Sequence, residues 1–196
     1  MRHLREQFFG AFASRPRPSA DGIVKATVSR HESEGVRKTL AAREPEQLAE
    51  YELRTLIGGN LGMLTPEAFL YFLPGFLRVS LESYSAVDLF ASELLSALTE
   101  PTRDDVVQAL DRLSKTPSGV GLPVDLLEQI RKQQLEWAES EAREALFRER
   151  FDALTPAEGA AILAFLDALR QAHGADFPFG EIDAAIDRRW GRHRGV

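Results

Sequence analysis

The sequence predicts an all-α protein: a multi-helix orthogonal bundle around a buried, proline-kinked central helix. Three observations carry that expectation. Apolar residues recur at helical rather than alternating spacing along most of the chain. Helix-start signals of hydroxyl, proline and acid occur at Thr65-Pro66-Glu67 and again at Thr155-Pro156 with Glu158. Residues 68–81 are apolar or neutral except for Arg78 and Ser80, and carry Phe69, Tyr71, Phe72 and Phe76. A segment apolar on every side has to be wrapped by other elements, and this one is too short to span a bilayer.

The elements follow in order. Residues 4–13 place Leu4, Phe8, Phe9 and Phe12 near helical spacing, and Pro16, Pro18 and Asp21-Gly22 then break the chain. Residues 23–28 are rich in β-branched side chains, but a lone strand has no partner, so an extended loop is expected. Val36 and Leu40 mark a short helix over 33–42. Another starts at Pro45, turns Leu48, Tyr51 and Leu56 inward, and ends at Gly58-Gly59-Asn60 and Gly62. In the central helix Pro74 removes the hydrogen bond to the Leu70 carbonyl, which predicts a kink or break at Pro74-Gly75. An interior proline costs about 3 kcal/mol. Burying several Phe and Leu side chains at about 1.5–3 kcal/mol each offsets it.

Residues 86–98 form the cleanest helix, with Val87, Phe90, Ala91, Leu94, Leu95 and Leu98 on one face and a Ser85/Asp88 pair at capping-box spacing. Glu100-Pro101 stops it. Thr102 and Asp105 open the next helix, with Val106, Leu110 and Leu113 as its stripe. The Pro- and Gly-rich segment 116–123 is a candidate hinge between lobes 1–115 and 124–196 of a single helical domain. A charged helix over 124–150 has a thin apolar stripe that includes Trp137, and carries Glu128/Lys132, Glu139/Arg143 and Glu144/Arg148 at i, i+4. Thr155 and Glu158 make a full capping box for a helix with Ile162, Phe165, Leu166 and Leu169 inward, closed by His173 and Gly174. A last amphipathic helix near 181–190 carries Ile182, Ala185, Ile186 and Trp190 and runs into a basic tail. Leu-Thr-Pro at 64–66 and at 154–156 reads as convergent capping, since the sequences diverge at once afterwards.

Composition narrows the function classes. The chain has 196 residues, a formal charge of −6 and no cysteine. Disulfides, thiolate metal sites and cysteine nucleophiles are therefore excluded. The acidic balance disfavours nucleic acid and anionic membranes as partners and permits a basic one. The start of the chain lacks an apolar h-region and no stretch is long enough to span a membrane, so a cytoplasmic location is expected.

No chemical motif is complete. There is no G-x-S-x-G and no S-x-x-K. Residues 58–62 lack the Lys-Ser/Thr of a phosphate loop, and no Glu-x-x-His supports a di-metal bundle. No cofactor is implied. The basic run Arg188-Arg189-Trp190-Gly191-Arg192-His193-Arg194 could touch phosphates, but Trp190 is in phase with Ile182 and Ile186 and reads as core. Arg78, inside the apolar segment, needs a partner: a nearby Glu, or a ligand anion.

Residues 64–77, Leu-Thr-Pro-Glu-Ala-Phe-Leu-Tyr-Phe-Leu-Pro-Gly-Phe-Leu, with Ala11-Phe12, Pro16 and Pro18 ahead of them, resemble a family of uncharacterised bacterial proteins with a TPEAF-x-Y-x-LP-x-FL helix. The resemblance covers the first half well. It implies shared architecture and no assigned activity, so it carries over no catalytic residue.

The leading expectation is a non-enzymatic protein-interaction module with a protein partner, of immunity or antitoxin type in one concrete version. Trp137 on the charged helix is then a candidate anchor. The alternative is an enzyme whose pocket lies beside the Pro74 kink and is lined by Tyr71, Arg78 or Tyr84. A second alternative is a nucleic-acid accessory protein acting through the basic tail.

Overall fold

The computed structural model describes residues 1–102, 104, 132 and 142–195. Among these, every regular element is helical. The one β contact is an isolated antiparallel bridge between Val24 and Leu64. The chain divides into two compact units, Met1–Thr99 with Arg150–Val196, and Glu100–Glu149. The expected hinge at 116–123, the stripe at Val106, Leu110 and Leu113, and Trp137 all lie outside the described residues.

In the first unit α1 (Arg2–Phe12) buries Phe8 and Phe12. The segment after it is a loop and not a strand, but it is less extended than expected: a 3-10 turn over Ala20–Gly22 leads to the isolated bridge at Val24, and a further turn is closed by the Val28 N–H on the Lys25 carbonyl at 3.1 Å. The Lys25 N–H donates to the Met63 carbonyl at 2.9 Å and the Thr65 N–H to the Ile23 carbonyl at 3.1 Å, so the loop ahead of the central helix supplies the pairing a lone strand would lack. α2 (Arg30–Ala41) starts earlier than its apolar spacing implies, because Ser29 caps it by accepting from the Glu32 N–H. A 3-10 turn (Pro45–Gln47) then leads to α3 (Glu50–Glu52), which continues as a π turn over Leu53–Ile57 closed by the Gly58 N–H on the Leu53 carbonyl. The inward face here differs from the expected one. Glu52, Leu53 and Ile57 are buried, whereas Tyr51 is 61% exposed and Leu56 is half-buried. The helix restarts after Leu48, so the phase counted from Pro45 does not carry through.

The central helix α4 (Pro66–Glu82) opens where expected. Its cap Thr65 accepts from the Ala68 N–H and also donates to the Gly22 carbonyl at 2.6 Å, which ties the loop after α1 to the helix start. The helix runs through Pro74 without a break. Phe69, Leu70, Phe72, Leu73, Phe76, Leu77 and Val79 are all buried, and that burial outweighs the lost backbone bond. α5 (Asp88–Leu98) buries all six residues of the expected stripe. The Ser85/Asp88 capping box does not form, because a 3-10 turn over Tyr84–Ala86 occupies that stretch and Val87 takes the cap position.

α6 (Ala142–Phe151) belongs to the second unit up to Glu149, and the first unit resumes with its last two residues, α7 (Pro156–His173), α8 (Glu181–Arg188) and a closing 3-10 turn (Trp190–His193). α4 packs on α1, α5 and α7; α8 packs on α5 and α7. An aromatic seam joins both ends of the chain. Ring centroids lie 5.5 Å apart for Phe76–Phe90, 5.9 Å for Phe69–Phe151, 5.2 Å for Phe151–Trp190 and 6.5 Å for Phe8–Phe165, mostly edge-to-face. Trp190 is fully buried, as its phase with Ile186 implied, and its indole N–H donates to the Leu98 carbonyl at the end of α5 at 2.6 Å. No helix among the described residues is long and apolar enough to cross a membrane.

Candidate functional site

Two clusters gather three of the four residues singled out by sequence, and the fourth, Trp137, lies outside the described residues. The first cluster sits beside Pro74-Gly75. Tyr71 and Arg78 are two helical turns apart on α4, so both project onto the same neighbour, residues 44–48. The Tyr71 hydroxyl donates to Glu44, which also pairs with Arg17. Arg17 donates in turn to the Ala41 carbonyl at 2.8 Å and the Arg43 carbonyl at 3.2 Å. Arg78 donates to the Leu48 carbonyl at 2.5 Å and to Glu82 at 2.8 Å. It is held by a nearby Glu and a backbone oxygen.

The glycine next to the proline explains why these bonds converge. A Cβ at residue 75 would fall on the Pro45 carbonyl oxygen and 2.9 Å from the Leu48 side chain. The 45–48 turn therefore lies directly on the helix backbone at Gly75. Burial, then the bond to Glu44 and its charge, push the Tyr71 phenol up to about 12. Such a phenol stays protonated near neutrality and acts as a donor, not as a base or nucleophile.

Tyr84 belongs to the second cluster, built from the α4–α5 turn and the end of α7. Its ring stacks on His173 with centroids 3.6 Å apart and planes 14° from parallel, and Phe177 meets it edge-on at 6.4 Å. Burial, then the charge of Asp176 and a hydrogen bond to it, push the Tyr84 phenol up to about 12, with the charge of Asp88 adding to this. His173 Nδ1 lies 3.6 Å from Asp176. Close by in the chain, Leu89 is 82% exposed and Phe179 63% exposed. Leu89 follows Asp88 at the start of α5, and Phe179 stands two residues beyond Phe177. Both were open to detection in the sequence. Leu89 falls outside the stripe set by Val87, Phe90 and Leu94, and Phe179 is an aromatic side chain between Pro178 and Gly180.

The remaining polar groups serve the fold. Glu158 completes the Thr155 capping box and is also gripped by Arg15 through two bonds, at 2.5 and 2.8 Å. The glycine loop at 58–62 aims its amides at a carboxylate supplied by the chain itself: Glu93 accepts from the Gly59 N–H at 2.6 Å and the Leu61 N–H at 3.1 Å. In the basic tail Arg189 donates to the Phe151 carbonyl and to Asp152, both at 2.8 Å, which ties this part of the tail back to the start of the returning chain. Among the described residues no group of three or more His, Asp or Glu side chains could hold a metal ion.

No family model, no curated protein and no solved structure matches the chain.

Proposed function

We propose that this chain is a non-enzymatic protein-interaction module whose contact surface is the aromatic end formed by Tyr84, Leu89, Phe177 and Phe179. The observation that carries the reading is the exposure of two large apolar side chains, Leu89 and Phe179, each within two residues of a group, Asp88 or Phe177, that acts on or meets Tyr84. Aromatic and aliphatic anchors set on a rigid support are the usual energetic centre of a protein contact. The neighbours of Leu89 and Phe179 in the chain are core residues: Val87 and Phe90 flank Asp88-Leu89, and Ile182 follows Phe179 by three residues, all buried. The disposition of the polar residues agrees with it. Tyr71, Arg15, Glu158, Glu93 and the terminal nitrogens of Arg78 bond to the chain's own backbone and side chains.

The test is capture of the tagged native protein from its own cells beside a Leu89→Asp, Phe179→Asp variant. A stoichiometric protein retained by the native chain, lost by the variant and rebinding when both are purified supports the module. Equal retention by both, or a co-purifying small molecule with no protein, refutes it. The variant itself is expected to melt within a few degrees of the native protein, since exposed substitutions change stability by less than about 0.5 kcal/mol.

A further inference from the structure

We infer that the aromatic end receives a basic amphipathic segment, with apolar anchors flanked by lysine or arginine. This rests on the interaction reading above and adds the chemistry of the partner. Three carboxylates belong to this end of the molecule. Asp88 immediately precedes Leu89, and both Asp88 and Asp176 are close enough to Tyr84 to act on its phenol. Glu181 holds the Phe179 turn.

Each of these acids is bonded to a group without full positive charge. Asp88 accepts from the Leu89 N–H at 2.8 Å, Glu181 accepts from the Phe179 N–H at 3.0 Å, and Asp176 faces the Tyr84 hydroxyl and the His173 ring. Among the described residues no lysine or arginine is ion-paired with any of the three. The nearest arginine on α7, Arg170, is engaged by Asp167 at 2.7 Å and Asp183 at 3.0 Å. This end thus combines exposed apolar side chains with three carboxylates that pair with no lysine or arginine among the described residues, on a chain of net charge −6.

That combination selects among occupants. A second copy docking through the same face would set these acids against their own counterparts, and like charges across an interface are costly. An anionic membrane or a nucleic acid is repelled for the same reason. A basic segment with apolar anchors satisfies both parts. The anchors supply the affinity, and the carboxylates supply selectivity and association rate.

A displayed library of random peptides panned on the native protein tests this. The expected outcome is enrichment of net-positive peptides with at least two apolar anchors. A synthetic copy should bind about tenfold more weakly at high salt than at low salt. Leu89→Asp should abolish that binding. Asp88→Asn combined with Glu181→Gln, which keeps an acceptor oxygen at each position and so leaves the backbone bonds in place, should weaken it about tenfold. Neutral or acidic enriched peptides, no enrichment, or affinity indifferent to salt would overturn the inference. So would a concentration-dependent dimer in sedimentation that Leu89→Asp abolishes. The two readings separate in the capture experiment. If a natural partner is lost with Leu89→Asp, Phe179→Asp but held unchanged by Asp88→Asn, Glu181→Gln, the module stands and the basic partner falls. If both variants retain it, both readings fall.

Discussion

Glu158 is the residue at which local and tertiary demands meet. At 1% exposure, its carboxylate serves its own helix through Thr155 and a distant segment through Arg15. Burial pushes its carboxyl up, but the bonds and charge of Arg15 and the bonds from Thr155 outweigh that and hold it below the usual range. Removing one partner of such a pair leaves the other uncompensated, so Arg15→Met should cost about 3 kcal/mol, read from the denaturant midpoint. The sign of the pH effect follows. A carboxyl lowered in the folded state stabilises above its unfolded value, near 4.3, and that stability is lost as pH falls below it. Glu158→Gln should therefore flatten the acid limb of the stability profile. Tyr71 works in the opposite sense. Its phenol is raised in the folded state, so its contribution is intact below the ordinary value, near 10, and is lost as pH rises through about 12. Tyr71→Phe should cost about 1 kcal/mol, and should remove one late step from the ultraviolet titration of the tyrosines.

Between elements, two glycines control close approach. Gly75 lets the 45–48 turn lie on α4, and Gly75→Ala would drive a methyl group into the Pro45 carbonyl. Backbone cannot yield as a flexible side chain can, so a loss of about 1–3 kcal/mol is expected in thermal or denaturant unfolding. Gly159, in the first turn of α7, lies directly under the His193 ring, which anchors the closing turn. Burial, then the charges of Arg192 and Arg189, hold the His193 imidazole below its ordinary value. Glu158 and Arg15 lie beside the same turn of α7 and already satisfy each other. The folded state therefore binds this proton less readily than the unfolded chain does. Stability from this contact is complete above about 6.5 and is lost as pH falls below it. His193→Gln should remove that part of the dependence between pH 7 and the acid limb, measured as the shift of melting temperature with pH. Cap chemistry and apolar phase made α4, α5 and α7 legible in the sequence. The Tyr51 face and the Ser85/Asp88 cap were not legible, because both depend on where a neighbouring 3-10 turn resets the helical count.

At the scale of the molecule, the first unit is closed by the returning chain. Phe151, Phe165 and Trp190 complete the seam begun by Phe8, Phe69 and Phe76. Residues 1–99 alone would leave Phe8 without Phe165 and Phe69 without Phe151. That fragment is expected to lack near-ultraviolet circular dichroism and a cooperative melt, whereas the full chain shows both. The aromatic end is likewise a product of two distant segments, since Tyr84 and Leu89 come from one and His173, Phe177 and Phe179 from the other.

Periodicity, cap residues and composition are properties of neighbours along the chain. They determined the all-α class, the central helix, the buried stripe of α5, the burial of Trp190 and the exclusion of cysteine chemistry. Which polar groups meet depends on pairings across long sequence separations, which no local pattern encodes. Tertiary structure alone therefore decided that Tyr71 and Arg78 clasp the turn lying on Gly75, that Glu93 occupies the glycine loop, and that Tyr84 stacks on His173 beside Asp176.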